Sequence, residues 1–134
     1  MGKILVTSSL IFLALCASAQ STSYYVDVIN SWNILTHAPS DTSVKRPAII
    51  FFPGNNQTGS DTAEGAKFGP IYQFRNGWDG TARGDQFWVF HVQPSSPTYT
   101  ESQYRTRVAP LIAKHPSIDT NRIYFTGLSL GGVH

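Results

Sequence analysis

The sequence predicts an α/β fold, a mostly parallel sheet with flanking helices. Three observations carry this. Residues 48–52 and 87–92 are continuous apolar runs, an apolar helical face follows the second, and a third β-prone run, 122–126, follows the helix. Apolar runs without alternation mark strands buried on both faces. Strand, helix, strand in this order implies a right-handed parallel crossover.

The first nineteen residues read as an address. Met1-Gly2-Lys3 supplies a positive start, residues 4–15 are apolar apart from Thr7, Ser8 and Ser9, and Ala17-Ser18-Ala19 has the small-x-small pattern of signal peptidase. The run is shorter than the ~20 residues that span a bilayer, so no stable membrane span is expected. Cleavage after Ala19 and a secreted or periplasmic location are expected. The rival is a lipoprotein anchored through Cys16, but Leu15 before it is too bulky for the usual lipobox. Residues 20–134 then form a single domain without cysteine, which excludes cysteine nucleophiles, internal disulfides and Cys-rich zinc sites.

Composition narrows the field further. With 41% hydrophobic and 13% charged residues, the chain is ordinary globular material. A formal charge of +2 with scattered basic residues leaves no footprint for nucleic acid. There is no H-E-x-x-H and no G-x-x-x-x-G-K, so neither a metal nor a nucleotide cofactor is expected.

The elements follow in order. Residues 24–28 and 32–36 are short β-prone stretches, expected as a pair of edge strands. The polar segment 39–46 reads as a turn. Pro47 and Pro53-Gly54 bound the first buried strand. Residues 54–69, rich in Gly, Asn, Thr and Asp, read as a long loop with room for a short helix. Pro94 and Pro97 close the second strand. Thr100 with Gln103 matches a capping box, and Tyr104, Val108, Leu111 and Ile112 share one helical face. Pro110 is an internal defect, and His115-Pro116 ends the helix. Residues 119–121 read as a turn before the third strand.

One motif carries chemistry. Gly127-Leu128-Ser129-Leu130-Gly131, followed by Gly132, is G-x-S-x-G directly after a strand. The chain must reverse sharply between strand and helix, which strains the serine backbone and lifts its hydroxyl clear of the sheet edge. The small residues Gly127, Gly131 and Gly132 let the flanking segments pass. The helix beyond aims free N–H groups at a developing oxyanion. Ser129 is therefore the candidate nucleophile. The backbone N–H groups of Leu130 and of Asn55, in the loop after the first buried strand, are the candidate oxyanion donors. Asn56-Gln57-Thr58 also fits a glycosylation sequon, read as chance because a glycan there would obstruct the site.

Residues 47–59, Gly69-Pro70, the strand at 88–93 and residues 119–132 resemble the α/β-hydrolase superfamily. More narrowly they resemble secreted esterases of the polyhydroxybutyrate-depolymerase and feruloyl-esterase type, often labelled predicted peptidases. The lead Asp119-Thr120-Asn121-Arg122-Ile123-Tyr124 into the elbow is the most specific part. The resemblance implies a Ser-His-Asp triad acting through an acyl-enzyme on a small-molecule or polysaccharide-linked ester. Pro53 departs from it, standing where the family usually has histidine.

In this fold the triad runs Ser, acid, His along the chain, and only five residues follow Ser129. The acid and base are therefore expected outside these residues, the domain being truncated after the elbow, and the fragment alone is expected to be inactive. His37, His91 and His115 are placed in strands or at a helix end, and His134 sits about 140° round a helix from Ser129. None is expected to be the base. Three rivals stand beside this reading. The first is a non-catalytic module binding a polysaccharide or a partner through Trp32, Trp78 or Trp88. The second is a peptidase or acyltransferase of the same fold. The third is a truncated gene product without function.

Overall fold

The computed structural model describes residues 24–76 and 86–133. The expectations for residues 1–19, Cys16, Trp78 and His134 lie outside the described residues.

A five-stranded sheet organises the chain, in the order β1-β2-β4-β3-β5. β1 (Tyr25–Ile29) and β2 (Trp32–His37) form an antiparallel hairpin, and β2 runs antiparallel to β4 (Trp88–Gln93). β3 (Arg46–Phe52) is parallel to both β4 and β5 (Ile118–Gly127). The sheet is thus mixed, its parallel part confined to the three strands that lead to the candidate site. β1 is an edge strand as expected, but β2 is interior, because β4 pairs with its other side.

β4 is buried along its whole length, as a central strand covered on both faces must be. On one face Trp32, Ile34, Ile50, Phe90 and Val92 pack under helix α3 (Glu101–Lys114), which contributes Tyr104 and Leu111. On the other face Leu35 and Val89 pack under Ala66, Ile71 and Phe74. The last two belong to helix α2 (Gly69–Arg75), which follows the single turn α1 (Thr62–Gly65). α2 was not legible as a helix in the segment 54–69 or beyond it.

α3 begins on the expected capping box: Thr100 accepts from the Gln103 amide at 3.4 Å, and Gln103 Oε1 accepts from the Thr100 amide at 2.8 Å. Pro110 lies inside the helix. A proline there has no N–H for the carbonyl four residues back, Thr106. That carbonyl accepts instead from Asn30 Nδ2 at 2.9 Å. Asn30 and Ser31, both at positive φ, form the β1–β2 turn, so the helix defect becomes a docking point for the hairpin. Arg107 reinforces it, lying 4.2 Å over the Trp32 ring and donating to the Asn30 carbonyl at 3.1 Å.

Residues 119–121 are not a free turn. They fall inside β5, where the register shifts: Arg46 pairs with Ile118, but Ala48 pairs with Ile123. Residues 119–122 therefore face Pro47 alone, which has no N–H for a ladder. The turn chemistry survives as a bulge, with the Asn121 amide donating to Asp119 Oδ1 at 3.0 Å.

His115 caps the C-terminus of α3, but its placement is explained by a partner more than by the helix dipole. Its Nε2 lies 2.9 Å from Oδ2 of Asp27, which is buried in β1 and also takes the Thr36 hydroxyl at 3.0 Å and Lys114 Nζ at 2.5 Å. Burial opposes ionisation of Asp27. The hydrogen bonds from Lys114, His115 and Thr36 together outweigh it and hold the carboxyl below its ordinary value. A carboxylate with a lowered folded pKa stabilises the protein above its unfolded value, near ~3.9, and that contribution is lost as pH falls through the lowered value. Asp27→Asn is expected to destabilise by about 3 kcal/mol at pH 7, since it strands a buried histidine and a lysine. The deficit relative to the natural residue is expected to shrink when urea denaturation is repeated at progressively lower pH, as the Asp27 carboxylate becomes protonated.

Candidate active site

The strand-to-turn reversal after β5 builds the site. Gly127 ends β5 opposite Phe52, the last residue of β3. The Leu128 amide then donates to the Phe52 carbonyl at 3.0 Å, holding the turn against the neighbouring strand end. Ser129 opens a 3-10 turn, Ser129–Gly132, in place of the expected start of an α-helix. It is exposed and sits at φ 51°, a left-handed conformation that costs an L-residue roughly 1–2 kcal/mol. The cost is held by the flanks, which leave the backbone no other course.

The glycines divide by role. A β-carbon on Gly127 would lie 2.2 Å from the Gly131 carbonyl oxygen, and one on Gly131 would lie 2.1 Å from the Phe52 carbonyl oxygen. Both positions are closed by backbone. Gly132 differs from the sequence reading: a β-carbon there would stand 3.5 Å from Gly127 O, an ordinary contact, so the turn does not need that glycine.

The loop after β3 meets Ser129. Gly54 follows the buried Pro53, and a β-carbon placed on Gly54 would lie 3.5 Å from the Ser129 β-carbon. Residues Asn55–Gln57 form a second 3-10 turn that packs on the first. Asn55 is exposed at its first position and Leu130 half-buried at the second position of the other. Among the described residues, neither the Asn55 nor the Leu130 amide donates a hydrogen bond. The carbonyl of the buried Pro53 accepts from the Tyr99 hydroxyl at 3.2 Å.

The three described histidines stand elsewhere. His91 is fully buried on β4, its ring 5.0 Å from Phe51, and burial alone pushes it down to about 3, so it is neutral. It is a core residue, and neither ring nitrogen finds a hydrogen-bond partner among the described residues. His37 ends β2, stacked on Phe74 at 4.2 Å. His115, with Asp27, forms a His–Asp pair at the far end of the sheet. Its chain enters β5 beside Arg46, whereas Ser129 leaves beside Phe52. The length of β3, roughly 20 Å at ~3.3 Å per residue, separates the two.

A cavity of about 590 Å³ lies between α3 and β5, lined by Phe52, Tyr104, Val108, Ile112 and Phe125. It reaches the elbow through Gly127, Gly131 and Gly132 and not through Ser129. Trp32 and Trp88, weighed as sugar-stacking surfaces, are only 3% and 5% exposed and belong to the core. No group of three or more His, Cys, Asp or Glu among the described residues is placed to hold a metal ion. Among these residues, no helix is long and apolar enough to cross a membrane.

Sequence comparison is silent: no protein-family model matches the chain, and no curated protein matches it. Solved structures do. A thermostable esterase superposes with TM-score 0.54 and 18% identity, over 83% of this chain and 35% of its own. Esterase 2 of Thermogutta terrifontis, phosphorylated by paraoxon, superposes with TM-score 0.50 and 16% identity, over 81% of this chain and 44% of its own. The chain thus spans about a third to less than half of the length of these two. At such identities the likeness speaks for architecture alone, and with the strand order and the elbow it establishes that this chain has the α/β-hydrolase fold.

Proposed function

We propose that this chain is the nucleophile-bearing part of a secreted serine hydrolase that cleaves carboxylic esters, carbohydrate-linked acyl groups or polyesters among them. The observation that carries the reading is Ser129, exposed at positive φ on a glycine-walled turn and faced by the Asn55 loop. Ser129 Oγ attacks the ester carbonyl carbon, and the carbonyl electrons move to oxygen. The Leu130 and Asn55 amides hold that oxyanion. The Ser129 proton passes to a histidine, which returns it to the departing alcohol, and water then releases the acid and restores the serine. That histidine and its acid partner lie, in this reading, outside these residues. The other engagements of the described histidines support this, His37 stacked on Phe74, His91 buried against Phe51 and His115 paired with Asp27, as does the greater length of the two esterases. Secretion is part of the proposal and rests on residues 4–19.

Residues 20–134 expressed alone are expected to show no Ser129-dependent hydrolysis of p-nitrophenyl acetate, because an uncoupled serine keeps its proton. The natural-length secreted protein is expected to hydrolyse it and to be phosphorylated at Ser129 by paraoxon, as peptide mass mapping would show. An isolated 20–134 fragment as active as the natural protein would overturn the placement of the base. A natural protein without Ser129 labelling would overturn the hydrolase reading.

A further inference from the structure

The loop that presents the Asn55 amide hangs on two buried carboxamides. Gln57 is 2% exposed, and Gln93, the last residue of β4, is fully buried. Gln57 grips Gly54 twice: its backbone amide donates to the Gly54 carbonyl at 3.1 Å, and its Oε1 accepts from the Gly54 amide across a longer 3.4 Å. Its Nε2 donates to the Gly65 carbonyl at 3.1 Å, at the end of α1. Gln93 Nε2 donates to the Asp61 carbonyl at 2.7 Å, at the start of α1. Gly65 leaves no slack, since a β-carbon there would lie 2.9 Å from the Gln93 carboxamide. The Gly59 amide closes the girdle by donating to Pro94 O at 2.7 Å.

Two carboxamides are a poor way to fill volume. Each must be stripped of water, and the net return of a paired hydrogen bond is small. What they supply is direction, because each bond fixes a backbone group at a stated place. Gln57 Oε1 occupies the Gly54 amide, which itself lies against Ser129, and the next amide along, that of Asn55, donates to nothing among the described residues.

We propose that Gln57 is a positioning residue for the oxyanion hole, aiming the Asn55 N–H through Gly54, with Gln93 holding α1 as its support. The inference rests on the serine-hydrolase reading above and deepens it.

The test uses the natural-length secreted protein and its Gln57→Met and Gln93→Met variants, with active sites titrated to completion by paraoxon. Gln57→Met is expected to lower kcat per titrated site on p-nitrophenyl acetate by about 10- to 100-fold, with KM changed less than about threefold. Affinity for a boronic acid, which mimics the tetrahedral intermediate, is expected to fall by the same factor. A merely structural role would lower Tm and the number of titratable sites and leave kcat per site and boronate affinity unchanged; that result overturns the proposal. Should Gln57→Met not accumulate folded, Gln93→Met carries the test, with the same paired losses at smaller size, and an unchanged kcat per site there also overturns it. Absence of Ser129-dependent turnover in the natural protein would show, before any glutamine variant is made, that the hydrolase reading itself had failed.

Discussion

In the natural-length protein, Ser129→Ala is expected to abolish labelling by paraoxon and to lower ester turnover by about a million-fold, leaving a residue of about 10³-fold over water from binding and the oxyanion donors. The size of the effect follows from the geometry. Ser129 is exposed at positive φ, and the Asn55 and Leu130 amides donate to nothing among the described residues. Those donors belong to the backbone, so the substitution leaves them in place, which is why catalysis would not fall to the uncatalysed rate. Stability is expected to change little or to rise slightly, since alanine removes a hydroxyl and keeps the same β-carbon. Turnover that persisted in Ser129→Ala would mean that the elbow is architectural and the chemistry lies elsewhere. A silent natural protein whose Ser129→Ala variant bound a polysaccharide equally well would favour the non-catalytic module. The same assay with amide substrates separates an esterase from a peptidase.

Features fixed by near neighbours were legible in the sequence, and features fixed across the chain were not. The elbow is local: five residues after a strand dictate the reversal, and Gly127 and Gly131 are demanded by atoms a few positions away or on the adjoining strand. β4 announced itself because a strand covered on both faces reads as a near-continuous apolar run, here Trp88-Val89-Phe90 and Val92, with His91 and Gln93 as buried exceptions. α3 carried its own start signal in Thr100 and Gln103. α2, by contrast, is seven residues long and opens with Gly69-Pro70, a pair that gives no local helix signal. It exists because Ile71 and Phe74 find Leu35 and Val89 beneath them, a contact no window of local sequence contains. Asp27 and His115 meet across 88 positions, and neither carries a sign of the other. Gln57 was hidden differently. Its spacing from Gly54 is that of a capping box, but glycine at the cap offers no side chain to complete the usual pattern. The interior position of β2 depended on β4 returning to pair with it, which strand propensity does not encode.

Gly131→Ala is the substitution with the largest expected effect on folding, at least about 3 kcal/mol, or failure to accumulate folded protein. Neither Gly127 nor Gly131 has a positive φ, so lost conformational freedom is not the reason. Space is. The added methyl of Gly131→Ala would fall 2.1 Å from the Phe52 carbonyl oxygen, 2.5 Å from the Phe52 carbonyl carbon and 2.6 Å from the Pro53 carbonyl oxygen. All three are backbone atoms at the end of β3, so no side-chain rotation relieves the contact. Relief needs the elbow to lift off β3, breaking the bond from the Leu128 amide to the Phe52 carbonyl and the Phe52–Gly127 pairing that precedes it. The same movement would carry Ser129 away from Gly54 and the Asn55 amide, so any folded remainder would lose its activity with its stability. Gly132→Ala is the matched control: its methyl meets nothing closer than 3.5 Å, and it should cost no more than the ~0.5 kcal/mol of an unremarkable surface change. Thermal unfolding of the two variants side by side therefore separates crowding from a general intolerance of side chains in the turn. Equal destabilisation by Gly131→Ala and Gly132→Ala would refute the steric account of the elbow, because only one of them forces a methyl into the backbone of β3.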